Sequence, residues 1–159
     1  MACVVLGASR HMNIAATEDQ MSNSSPEHMK MPDVLGGIVP YLTVDGATKA
    51  ADFYAKAFDA REVFRQPPDE EGRTMHIHLY LNDSSLMLCD AYPEHGHTLS
   101  DHQGYTLHLK VTGIDRWWQR AIDAGCQIVL PLQEMFWGER YGQLRDPFGV
   151  LWSMSEPRA

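Results

Sequence analysis

The sequence predicts an α+β protein built from two tandem β-α-β-β-β modules. Two observations carry this. One apolar stripe, spaced i, i+3, i+4, i+7 and i+8, occurs once in each half: Ala50, Phe53, Tyr54, Ala57 and Phe58, then Ile114, Trp117, Trp118, Ala121 and Ile122. Each stripe is preceded by one short strand-like segment and followed by three. Such a stripe is one face of an amphipathic helix, and apolar–polar alternation is the mark of a half-buried strand. A period of about 60 residues means one supersecondary unit used twice.

The elements follow in order. GGIVPYLTVDG reads as a strand ending in a turn, with Asp45 as a candidate N-cap for a helix of about 13 residues. REVFR is a short strand, and the prolines and glycine of QPPDEEGR make a turn. TMHIHLYLND alternates strictly, with Met75, Ile77, Leu79 and Leu81 on one face and His76, His78 and Tyr80 on the other. SSLMLCDAY is a fourth strand, entered through a tight turn at Asn82, Asp83 and Ser84. Pro93 to Gly104 is a polar loop carrying His95, His97 and His102, read as solvated residues rather than a metal site.

The plan then repeats. GYTLHLKVTG is a strand, and Gly125 stops the second helix as a C-terminal cap would. CQIVLPL, ERYGQLRD and VLWSMS are the last three strands, with Pro147 and Gly149 turning the chain between the final two. The modules span about residues 36–91 and 104–155, inside one domain of residues 35–157. Residues 1–34 are polar, rich in Ser, Asn and Met, and without periodicity, so they read as a flexible extension. In each module the helix covers one sheet face. The other face carries most of the polar strand residues, which suggests a pocket.

The chain has 159 residues and a net charge of −8, from 13 basic and 21 acidic residues. An acidic chain without a basic block argues against nucleic acid or an anionic membrane as partner. The longest apolar run, Ala2 to Ala8, is too short to span a bilayer. Cys3, Cys89 and Cys126 are too few and scattered for a disulfide framework, and the odd count fits a reducing cytoplasm. No positive segment precedes the N-terminal apolar run, so it is not read as a signal peptide. A Gly-rich phosphate loop, a GxSxG and a paired CxxC are all lacking.

Three strings add a resemblance: GIVPYLTVDGATKAADFYAKAFDAR; MHIHLYLND with LMLCDAYPE; and MFWGERYGQLRDPFG. In register with the repeat, they resemble the vicinal oxygen chelate superfamily, the group of glyoxalase I, extradiol dioxygenases, fosfomycin-resistance enzymes and bleomycin-binding proteins, and within it the PhnB-like branch. The resemblance implies a cup-shaped, incomplete β-barrel with helices outside, usually in a homodimer, holding a small ligand. The family's metal positions fall on Val39, Thr106, Ser153 and either Leu88 or Asp90. An alkyl group and two hydroxyls are a poor ligand set for a divalent ion. The implied function is therefore binding of a small organic molecule without the usual metal, with no cofactor expected.

Individual residues refine this. His76 and His78 lie about 7 Å apart at Cα on one strand side, so both can reach one ligand or one ion. The alternative is two hydrogen-bonded histidines on a sheet face. Val39, Tyr41, Thr43, Tyr80, His108 and Ser153 join them as pocket-lining candidates. Arg140 offers a bidentate grip on an anion, and Glu139 is the candidate general base. Equally, those two can pair with each other or with neighbours. Trp137, with Phe136 and Tyr141, can stack on a planar ligand or fill a core or dimer seam. The rival function is a metal-dependent lyase, isomerase or dioxygenase with shifted ligands: His76, Asp90, His108 and Glu139.

Overall fold

The helices and strands form where the periodicities place them. The computed structural model describes residues 30–158, and residues 31 onward form one unit. The order is β1 (Tyr41–Val44), α1 (Ala47–Phe58), β2 (Arg61–Arg65), β3 (Ile77–Leu81), β4 (Ser84–Asp90), β5 (Leu107–Lys110), α2 (Ile114–Ala124), β6 (Gln127–Glu134), β7 (Glu139–Arg145) and β8 (Leu151–Pro157). The expectation for the N-terminal extension lies outside the described residues as far as residue 29. At residues 33–35 the chain already bonds to the first sheet: Tyr80 Oη donates to the Asp33 carbonyl, and Leu35 N–H donates to Ser85 Oγ at 2.8 Å.

Each module is a four-stranded mixed sheet, ordered β1-β4-β3-β2 and β5-β8-β7-β6. In both, the first strand runs parallel to the last and the other pairs are antiparallel. Neither sheet closes into a barrel. β1 is shorter than GGIVPYLTVDG suggests, because Gly36 takes a positive φ of 94° and the chain bends there. Asn82 and Asp83 both adopt positive φ, the geometry a two-residue hairpin turn requires. Pro131 is tolerated in β6 because β6 is an edge strand.

The core lies between each sheet and its helix, and the two helices pack on each other. The modules also meet where the β3–β4 hairpin reaches β5: Asn82 Nδ2 donates to the Lys110 carbonyl at 3.0 Å, and Leu81, Ser85 and Leu86 share a small cavity with Leu107, His108 and Trp152. Tyr54 and Phe58 of α1 meet Trp152 of β8 at ring-centroid distances of 5.4 and 4.4 Å. The aromatic stripe of the first module thus packs into the second. Trp118 is buried with it, whereas Trp117 stays at the margin under the Arg120 guanidinium.

Asp45 does not cap α1. Gly46 occupies that position in the left-handed conformation, and the Asp90 carboxylate reaches across from β4 to accept from Gly46 N and Ala47 N at 2.8 and 2.9 Å. The second module repeats the device. Gly113 precedes α2 in the same conformation, and Glu156 of β8 accepts from Gly113 N and Ile114 N. A carboxylate at a helix N-terminus satisfies free N–H groups and complements the dipole.

Candidate functional site

Strand register assigns each side chain to a face. In the first sheet, Tyr41 pairs with Met87, His78 with Met87, Tyr80 with Ser85, and Phe64 with His78. The face away from α1 therefore carries Tyr41 and Thr43, His78 and Tyr80, Ser85, Met87 and Cys89, with Phe64 and Arg61 at the β2 edge. His76 and Val39 stand just outside β3 and β1, in phase with this face. The rings form a row across it. Centroid distances run 5.5 Å from Tyr41 to His76, 6.4 Å from His76 to His78, and 5.2 Å from His78 to Tyr80. Phe64 flanks His76, and the Arg61 guanidinium lies over Tyr80.

Each histidine of the row has a defined environment. Tyr41 Oη donates to the Met75 carbonyl and lies 2.8 Å from His76 Nδ1. The Nε2 atom of His76 is buried and has no partner among the described residues. Burial first, and the neighbouring His78 second, push the His76 pKa down. His78 is 1% exposed, and its Nε2 lies 2.7 Å from Ser85 Oγ. Burial also lowers its pKa. The Tyr41 phenol is pushed up to about 12 by burial, with a smaller contribution from Cys89. At neutral pH the Tyr41, His76 and His78 rings are therefore uncharged. A cavity of about 350 Å³ opens beside it, lined by Tyr41, Thr43, Met75, Cys89, Tyr92 and His97 among others.

The second sheet presents a more polar face. His108 pairs with Ser153, Tyr141 with Ser155, and Gln143 with Ser153. Both His108 nitrogens are engaged, Nδ1 with Ser153 Oγ at 2.8 Å and Nε2 with Ser155 Oγ at 3.1 Å. The Tyr141 ring stacks on His108 at 6.1 Å, accepts a hydrogen bond from Gln143, and meets the edge of Trp137. Trp137 is half exposed, and Phe136 beside it is 96% exposed. Glu139 is on this face, 3.6 Å from Lys110 Nζ.

Two candidates are committed elsewhere. Arg140 points to the helix side of β7 and holds Asp115 of α2 bidentately, at 2.6 and 2.7 Å. That pair depresses the Asp115 pKa. Asp90 is 5% exposed, and besides its α1 cap it accepts from Thr74 N at 2.8 Å. The shifted metal set is not gathered in one chain: among the described residues no three His, Cys, Asp or Glu come together. The family's metal positions do not fit an ion either. Val39 is alkyl, Leu88 is core, Ser153 is bonded to His108, and the Asp90 oxygens already accept three N–H groups.

Sequence reasoning missed Phe64, Arg61, Gln143 and Ser155 on these faces, although alternation within REVFR, ERYGQLR and LWSMSEP was enough to place them. It also read Asp146 only as the end of the strand ERYGQLRD. The Asp146 carboxylate is 5% exposed and takes four donors: Tyr54 Oη, Trp152 Nε1, Phe148 N and Val150 N.

Comparison with known proteins agrees with this architecture. A model of the Glyoxalase/Bleomycin resistance protein/Dioxygenase superfamily matches residues 34–154. The uncharacterized protein Rv0887c of Mycobacterium tuberculosis is 39% identical over 153 residues, covering 86% of this chain and 89% of that protein. TioX from Micromonospora sp. ML1 superposes with a TM-score of 0.62 at 28% identity, over 77% of this chain and 99% of TioX. The PhnB protein of Bacillus cereus does so at 0.60 and 24% identity, over 76% and 99%, and speaks for the fold alone. No helix of the described residues is long and apolar enough to cross a membrane. By its repeat, its paired sheets and the family match, the chain belongs to the glyoxalase/bleomycin resistance protein/dioxygenase superfamily.

Proposed function

We propose that this protein binds a modest, planar organic molecule on the ring-lined faces of its sheets, as a homodimer in the cytoplasm and without a divalent ion. The observation that carries the reading is the row of rings Tyr41–His76–His78–Tyr80 on the face away from α1, in which Tyr41 stands half exposed while His78, buried against Ser85, backs the row. Rings of this kind offer stacking area with a few hydrogen-bonding atoms, which is what recognition of a planar ligand needs. The His108–Tyr141–Trp137 cluster offers the same chemistry on the second sheet. A second copy would bring two such faces around one ligand, in keeping with the homodimer that the resemblance implies. Val39, Thr43 and Ser153 would line that cup, and Glu139 would stand at its polar edge.

The test joins metal titration to a ligand screen. Titration with nickel, zinc, manganese and iron(II) is expected to give no stoichiometric binding. Planar aromatic ligands are expected to quench tryptophan emission, and His108→Ala with Tyr141→Ala to abolish the quenching. Stoichiometric metal binding that is lost in His76→Ala would overturn the metal-free reading. A sedimentation experiment giving only monomer would overturn the shared cup.

A further inference from the structure

A cavity lies apart from the ring rows. It measures about 660 Å³, between the loop joining the modules and the turn between β7 and β8. Ligand cavities span about 300–1,000 Å³. Phe148 and Leu151 supply apolar wall, and Asp45, Asp101 and Arg145 supply charge. Arg145 is four residues along β7 from Tyr141, so the cavity is about 13 Å from the second ring cluster.

Three features of this cavity are unspent. Among the described residues, Asp45, Asp101 and Arg145 are in no ion pair, and Asp101 is engaged only by Gln103 Nε2, which donates to its Oδ2 at 3.3 Å. Arg145 donates from Nη1 to the Gly149 carbonyl at 2.8 Å, and its other N–H groups have no partner among the described residues. His102 bonds Tyr105 Oη through Nδ1, while its Nε2 is buried without a partner. A simple anion would meet Arg145 but also two carboxylates. A simple cation would meet the carboxylates but also Arg145. A molecule carrying both charges on an apolar body matches the three charged groups and the apolar wall.

We propose that this cavity is a second binding site, taking a small zwitterion with an apolar side chain, an amino-acid-like molecule. Its carboxylate pairs with the Arg145 fork, its ammonium lies between Asp45 and Asp101, and its body covers Phe148 and Leu151.

The experiment is amide-shift mapping on the ¹⁵N-labelled full chain, with phenylalanine, phenethylamine and 3-phenylpropionate as probes. The expected result is shifts confined to residues 99–105 and 145–151, with phenylalanine binding about ten-fold more tightly than either single-charge analogue. Arg145→Gln is expected to bring phenylalanine down to the level of phenethylamine, and Asp45→Asn with Asp101→Asn to the level of phenylpropionate. Arg145→Lys, which keeps the charge but not the fork, serves as a second variant, and a preserved amide spectrum checks folding. No shifts with any probe, equal affinity for all three, or shifts centred on His108 and Tyr141 would overturn the proposal. The ring-row reading stands or falls separately, on its own ligand screen.

Discussion

Burial decides what the histidines of the first sheet do. Leu35 N–H donates to Ser85 Oγ, and His78 Nε2 lies 2.7 Å from the same oxygen. Protonating His78 would place a charge in the interior. The folded-state pKa is lowered, so the unfolded chain binds the proton more readily. Stability is then complete above the unfolded histidine value of about 6.5 and is lost as pH falls below it. Urea midpoints measured at pH 7.5 and 5.5 should show this fall, and His78→Gln should make it shallower. Identical pH slopes would remove His78 as a cause. Gly142 poses a different constraint at the same scale. A Cβ there would stand 2.6 Å from two ring atoms of Trp118 and 3.1 Å from Leu132 Cα. Gly142 is thus a packing glycine inside β7 and not part of a turn. Gly142→Ala should cost roughly 1–3 kcal/mol in urea unfolding. Adding Trp118→Leu should make the alanine much less harmful, because the clash is with that ring.

At the scale of elements, each module ends its last strand with a carboxylate aimed at its own helix: Asp90 for α1 and Glu156 for α2. Asp90 is the more deeply buried and also holds Thr74 N. Asp90→Ala should therefore destabilise more than Glu156→Ala, with the exposed cap worth about 1 kcal/mol. Thermal melts of the two variants would settle the order; the reverse order would mean that Thr74 contributes nothing. The repeat explains why the sequence revealed the helices and yet misplaced the cap. Asp45 has the right residue type one position too early, and the left-handed Gly46 hands the role to a strand distant in sequence. Arg140 follows the same logic. Its string marks a conspicuous turn and strand, but alternation puts it on the helix side, where Asp115 is within reach.

At the scale of the molecule, Asp146 ties the modules together. It accepts from Tyr54 of α1 at 2.8 Å and from Trp152 of β8 at 2.9 Å, beside the Tyr54–Phe58–Trp152 aromatic cluster. Burial pushes its pKa up against the opposing pull of its four donors. Removing the carboxylate leaves several buried donors unmet, so Asp146→Ala should cost about 3 kcal/mol or more. Tyr54→Phe removes one bond and should cost about 1 kcal/mol. Chemical denaturation gives both numbers. Equal losses would mean that the other three donors find water. The sequence by itself determined the duplicated module, the positions of both helices and most strands, and which residues share a sheet face. Those features repeat with periods of 3.6 and 2 residues, so they are written locally. Only the tertiary structure decided that His78 is sealed by Ser85, that Asp90 and Glu156 cap helices, that Arg140 serves Asp115, and that Asp146 joins the modules. Each of those pairings spans seven to 92 residues, and a buried polar group takes whichever partner the packed chain brings within reach.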